Sequence, residues 1–331
     1  MTTISAKPIL SSQLIGHPHR LDTILATYPR WIHAEGRTHR ALRIAEGLEV
    51  LPPTPSLMED PLLSRNAASS RAIPVAKMIE DILSDPAVPV FWGKNVAGMQ
   101  ANEELPKHLA SKARDIWLSS MHAAIAHARA MVALGIDDAE RPIGAHKQIV
   151  NRMLEPYMHI RVLVSATEWS NFLALRIHEA AEPHIQMLAR EIKACLDLPA
   201  MQELRPGGWH LPFVSKDEVT EAFIRAGYVP TEGPKAPFWP AALDYLRKLS
   251  TARCASTSYL TVDSKPMLPS VAEALHDKLV GASPLHASPA EHPAQADEKG
   301  TLFNATWRNA GQHRNYVGFR QYRAMLPNDT L

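Results

Sequence analysis

Strand-like segments near both ends of the chain, with long amphipathic stretches between them, predict a mixed protein of the α+β class. Residues Leu21 to Tyr28 read as a short strand closed by Pro29, and Tyr316 to Met325 alternate well enough to form another. Leu109 to Leu134 and Thr167 to Leu196 carry apolar residues at helical spacing, the second with a slight interruption at Pro183.

Taken in order, Pro29 suits the first turn of a helix running to about His39, because its missing N–H has no partner there anyway. On that helix Trp31, Glu35 and His39 fall at i, i+4 and i+8 and share one face. Leu48 to Pro61 holds Pro52, Pro53, Pro55 and Pro61 and reads as a loop or lid-like insertion. A helix is expected from about Pro74, another over Ala145 to Leu154, and the N-terminal half reads as mainly helical. Glycines and prolines crowd Arg205 to Pro240 and mark a connecting segment. Helical spacing resumes over Ala241 to Leu260 and Val271 to Val280, and Ser283 to Lys299 reads as loop. The expected organisation is a core over residues 1–204, a connection over 205–240 and a segment over 241–331, forming one composite domain.

The 331 residues and 46% hydrophobic content are ample for a packed core. With 35 basic and 34 acidic residues the net charge is +1, too small a field for long-range capture of nucleic acid or an anionic membrane. An anionic ligand must be held by local arginines and helix ends. Cys195 and Cys254 form neither a disulfide framework nor a Cys-x-x-Cys site, which suits a reducing cytoplasm. No apolar run of about 18 residues and no charged leader with an apolar stretch occurs, so membrane spanning and export are not expected.

Three segments carry chemistry. The first is Ser64-Arg65-Asn66-Ala67-Ala68-Ser69-Ser70-Arg71, preceded by Thr38-His39-Arg40. Hydroxyls, backbone N–H groups and an arginine fork can hold a nucleotide phosphate, making Ser69, Ser70 and Arg71 a candidate cradle. Composition alone would call the same residues a polar loop. The second is Asn171-Phe172-Leu173-Ala174-Leu175-Arg176, where the bland alternative is an exposed helix arginine. The third is His286-Ala287-Ser288-Pro289-Ala290-Glu291-His292, with Ala252-Arg253-Cys254-Ala255-Ser256-Thr257-Ser258-Tyr259 upstream of it. Metal binding by His286, Glu291 and His292 is disfavoured, since the spacing is not a helical His-x-x-x-His and Pro289 and Pro293 oppose one.

Together these segments resemble the flavin-dependent thymidylate synthase family, ThyX. Its signature, Arg-His-Arg then x-x-Ser-x-Asn-x-x-Ser-x-Arg, is matched by Ser64, Asn66, Ser69 and Arg71 in register, its Asn-Phe-x-x-Leu-Arg helix by Asn171 to Arg176, and its His-x-Ser/Thr-Pro-Phe-Glu-His by His286 to His292. In ordinary members the last motif precedes the first, so the order here reads as a circular permutation, tolerable where termini lie close together at the surface. The resemblance implies a twisted antiparallel sheet packed with long helices, assembled as a homotetramer with FAD sites shared between subunits. It assigns Arg176 as the catalytic cation at the uracil edge. FAD contacts would come from His39, Arg40, Asn66, Asn171, Ser288 and Glu291, with His286 and His292 as supporting polar residues. Glu35, Ser64, Ser69, Ser70, Arg71 and Arg152 would hold the pyrimidine nucleotide.

The implied reaction is methylation of dUMP to dTMP with methylenetetrahydrofolate and NADPH as co-substrates, in the cytoplasm, the host's if the chain is a phage-like variant. Hydroxymethylation of dUMP or dCMP, or a non-catalytic nucleotide-binding homologue, are the alternatives. Several positions depart from the family. Residues 41–63 insert 23 residues where two are usual, Thr38 replaces an arginine, Glu35 stands where glutamine is usual and Ala67 where an acid is. Ala180 replaces a flavin-contacting histidine, and His178, sharing the helical face of Asn171, is the candidate substitute. Cys254 could be asked to serve as the C6 nucleophile of classical thymidylate synthases, but a lone cysteine in an apolar helix reads as packing.

Overall fold

The computed structural model describes residues 2–33, 64–67, 73–98, 101, 103–138, 140–141, 143–227, 239–256, 267–282, 288–300 and 306–329, with 64–67 and 239 described by backbone alone. The architecture is α+β, built on two sheets. The larger has the order β3-β4-β2-β1-β5, where β1 is Ser5–Leu14, β2 Arg20–Pro29, β3 Ser64–Ala67, β4 His159–Ala166 and β5 Gln202–Leu204. The smaller has the order β6-β7-β8, comprising Trp209–His210, Ala294–Ala296 and Phe319–Gln321.

Residues on β2 and β4 alternate between two covered faces, as a strand period of two demands. Ile24, Ala26, Ile160, Val162 and Val164 point to one side and pack with Phe172 of α4 (Ser170–Arg176) and with Ile185, Leu188 and Ile192 of α5 (Pro183–Leu196). On the other side Leu14 and Leu21 meet Ala294, Ala296 and Phe319, so the small sheet closes over the large one. Pro8, which lacks an N–H for the ladder, coincides with a register shift between Pro8 and Leu10 where β1 pairs with β2.

A second apolar cluster joins α1 (Val75–Ser84), α2 (Lys107–Val132) and the turn α3 (Lys147–Val150) through Met78, Ile82, Met121, Ile125 and Val150, with Leu154 just beyond the turn. A third helical group comprises α6 (Lys216–Arg225), α7 (Trp239–Ala255) and α8 (Pro269–Val280), with α7 packed on both of the others. No helix among the described residues is long and apolar enough to cross a membrane.

The structure differs from the sequence expectations at several points. The large sheet is mixed, because β5 runs parallel to β1. β1 and β4 were not anticipated, so the N-terminal half is less helical than expected. A 3-10 turn over Arg30–Ile32 follows Pro29 and His33 is helical, while the rest of the helix expected to about His39 lies outside the described residues. Ala145 to Leu154 yields a single α-turn followed by a 3-10 turn over Asn151–Met153. The segment expected to be connecting contributes β6 and α6, and the loop over Ser283 to Lys299 contains a 3-10 turn, Ser288–Glu291, and β7. The C-terminal strand shrinks to Phe319–Gln321.

Candidate functional site

Two of the three motifs meet at β4. The ladder pairs Ser64 with Ser165, Arg65 with Val164, Asn66 with Leu163 and Ala67 with Val162. The Ser288–Glu291 turn lies against β3, although more than 200 residues separate them in the chain. His292, which follows the turn, is fully buried and its Nδ1 is 2.8 Å from Ser165 Oγ. Ser165 alternates with Val164 and Ala166, so this contact is on the face away from α4 and α5.

Glu291 is held rather than free: Arg323 Nη1 lies 2.5 Å from its Oε1, and its carbonyl accepts from Tyr316 Oη at 2.6 Å. Arg323 also reaches Asp329, and these carboxylates hold its guanidinium above the usual range. Any role for Glu291 in ligand binding is therefore exercised from a fixed position. Ser288 is half-buried on the same turn.

Asn171 and Arg176 lie on α4, which leaves the Ser165 end of β4 after three residues. Both are half-buried, and Phe172, four residues before Arg176 on the same helical face, anchors the helix in the core. That core is on the helix-covered side of the sheet, opposite His292. Within one chain, then, the arginine helix and the Ser288–Glu291 turn approach from different faces.

The expectation that His178 shares the helical face of Asn171 is corrected. The helix stops at Arg176, because Pro183 starts a new one whose N-cap Glu182 accepts from the N–H groups of His184 and Ile185. His178 lies exposed in the intervening turn, where its Nδ1 accepts from the Ala180 N–H at 3.1 Å.

Arg152 is exposed on the Asn151–Met153 turn, with Nη1 at 3.5 Å from Glu155 Oε1. This turn precedes the His159 end of β4, and eight strand residues put about 23 Å between that end and Ala166. β3 runs antiparallel to β4, so its chain heads toward the His159 end. Beyond it, Ile73 accepts through its carbonyl from Asn151 Nδ2 at 2.9 Å, next to Arg152. Glu35, His39, Arg40, Ser69, Ser70, Arg71 and His286 lie outside the described residues.

Cys254 is fully buried in α7, and burial drives its thiol well above the usual range, the opposite of an activated nucleophile. Among the described residues no group of three or more His, Cys, Asp or Glu side chains is arranged to hold a metal ion.

What sequence reasoning missed is a buried polar chain between the two sheets. Gln202 donates through Nε2 to Ser12 Oγ at 2.7 Å, and Ser12 Oγ is 2.6 Å from His210 Nδ1. His210 Nε2 is 2.8 Å from Thr23 Oγ1, which is 2.5 Å from Ser165 Oγ, and Ser165 leads to His292. Burial pushes both imidazoles down to about 3, so they are neutral at ordinary pH. The available signal was Ser12, Thr23 and Ser165 interrupting apolar strands, legible only once β1 and β4 are recognised.

Comparison of the chain with protein-family models, curated proteins and solved structures finds no match.

Proposed function

We propose that the chain is a cytoplasmic, flavin-dependent thymidylate synthase of circularly permuted motif order. The observation that carries the reading is the adjacency of Ser64–Ala67 to Ser288–Glu291, two segments remote in sequence that the family joins in one site. A permuted order calls for the C-terminal motif to lie in this neighbourhood, and that adjacency supports the reading.

The residues at hand suit the task. Ser288 and Asn171 offer neutral hydrogen-bonding groups to a flavin, while Arg152 suits a nucleotide phosphate, as do Ser69, Ser70 and Arg71 by residue type. Arg176 supplies a fixed cation to stabilise negative charge on the pyrimidine. FAD, when bound and reduced by NADPH, would supply the hydride, and methylenetetrahydrofolate would supply the carbon. The opposite-face approach of α4 and the Ser288–Glu291 turn suits a site completed by a second copy of the chain, as in a homotetramer.

The test is to purify the protein, record its absorbance with and without added FAD, and incubate it with dUMP, methylenetetrahydrofolate and NADPH. Flavin bands together with dTMP by mass spectrometry are expected. A hydroxymethylated product from dUMP or dCMP would redirect the reaction, in line with Ala67 and Glu35. Absence of flavin bands even after FAD addition would point to a non-catalytic nucleotide-binding homologue.

A further inference from the structure

The buried chain has a direction. Gln202 Nε2 also faces the Trp209 carbonyl at 3.4 Å, a position that suits an amide nitrogen and not an amide oxygen. Ser12 therefore accepts from Gln202 and has its own proton to place. Given to His210 Nδ1, that proton fixes His210 with hydrogen on Nε2, which donates to Thr23; Thr23 donates to Ser165, and Ser165 to His292 Nδ1. His292 then carries its hydrogen on Nε2. The reverse order leaves the buried Ser12 hydroxyl proton without an acceptor among the described residues, which is unfavourable.

His292 Nε2 is buried and has no hydrogen-bond partner among the described residues. A buried donor left open in an otherwise satisfied chain needs an acceptor from elsewhere. Its ring stands beside Ser165, opposite Ser64 in the ladder, and directly after the turn that lies against β3.

We infer that His292 presents its Nε2–H as a neutral donor to a carbonyl or phosphate oxygen of the bound flavin, and that the hydroxyl chain from Gln202 holds it in that tautomer. This rests on the flavin reading above and adds to it a specific binding group. A neutral donor suits an oxygen acceptor without adding charge. The chain also spans β1, β2, β4, β5 and β6, so the tautomer is set by residues far from the ligand.

The experiment uses full-length protein labelled with 15N-histidine and titrated with FAD. The expected result is a His292 ring with Nε2 protonated and Nδ1 bare, whose Nε2–H resonance moves as FAD binds. His292→Phe is expected to weaken FAD binding roughly tenfold, and His292→Gln to recover part of it, as for one hydrogen bond. FAD binding to wild type with an unmoved Nε2–H signal, or the Nδ1–H tautomer, overturns this inference alone. Wild-type protein that takes up no FAD overturns the flavin reading with it. The labelled wild type decides the matter even if the variants fail to fold.

Discussion

Arg253 of α7 grips Glu218 of α6 through both carboxylate oxygens, Nη1 to Oε2 at 2.9 Å and Nη2 to Oε1 at 2.5 Å. The same Glu218 closes the capping box with Ser215, and Arg253 Nη1 also donates to the Phe213 carbonyl at 2.7 Å. Arg253→Met removes the cation from a half-buried carboxylate that keeps its Ser215 hydrogen bonds. A loss of about 1–3 kcal/mol in unfolding free energy is expected. Urea unfolding checks it, and a change under about 1 kcal/mol would show that the pair is solvated in solution.

Stability should fall in acid, for a reason that can be counted in protons. His210 and His292 titrate near 6.5 when unfolded but are pushed down to about 3 by burial, so the unfolded chain binds two extra protons between those values. Their contribution is complete above pH 6.5 and is lost as pH falls toward 3. Asp22 works the other way: burial outweighs its Arg20 partner and raises it to about 6 from 3.8, so its folded form takes up a proton first and stability is gained as pH falls through that window. Two against one leaves a loss of about 1.4 kcal/mol per pH unit between 6 and 4 from these three groups, and His159, also pushed down by burial, adds to it in the same direction.

Asp22→Asn should therefore steepen the acid loss to about 2.7 kcal/mol per unit. Arg20 remains hydrogen-bonded to the Leu196 and Leu198 carbonyls in that variant. Denaturant midpoints at pH 7, 6, 5 and 4 for both proteins test the point; parallel curves would remove Asp22 from the account.

Arg176→Ala is expected to leave FAD bound and to lower turnover by about 100-fold or more, as loss of a cation facing developing charge does. Single-turnover kinetics with pre-reduced enzyme give the measurement. Undiminished turnover would exclude Arg176 from the chemistry.

Cys254→Ala should retain full turnover, since the thiol is buried and held protonated. The cost is confined to packing, on the order of 1 kcal/mol. Inactivity in a folded variant would instead favour a cysteine-dependent route.

The parts of the fold that could be read in the sequence are those where local pattern and tertiary setting agree. α2 and α8 fall close to their expected bounds because their apolar spacing is helical and Pro106 and Pro269 mark their starts. β2 is readable because Pro29 closes it. β1 and β4 were obscured for a shared reason: Ser12 and Ser165 occupy inward positions that a simple apolar strand would fill, and they are tolerated only because His210 and His292 arrive from distant segments to bond them. The helix carrying Arg176 was visible, but not its early end, which depends on a cap made by Glu182 beyond it.

Among the described residues β3 pairs with β4 alone, at one rim of the large sheet. A rim strand can be re-spaced from its predecessor without disturbing any other ladder, so extra length ahead of Ser64 alters neither the β2 to β4 register nor the packing behind it. The 23 residues of the 41–63 stretch precede this rim strand in the sequence, where a graft leaves the inner ladders of the scaffold untouched. Shortening that stretch should leave the fold's melting behaviour nearly unchanged.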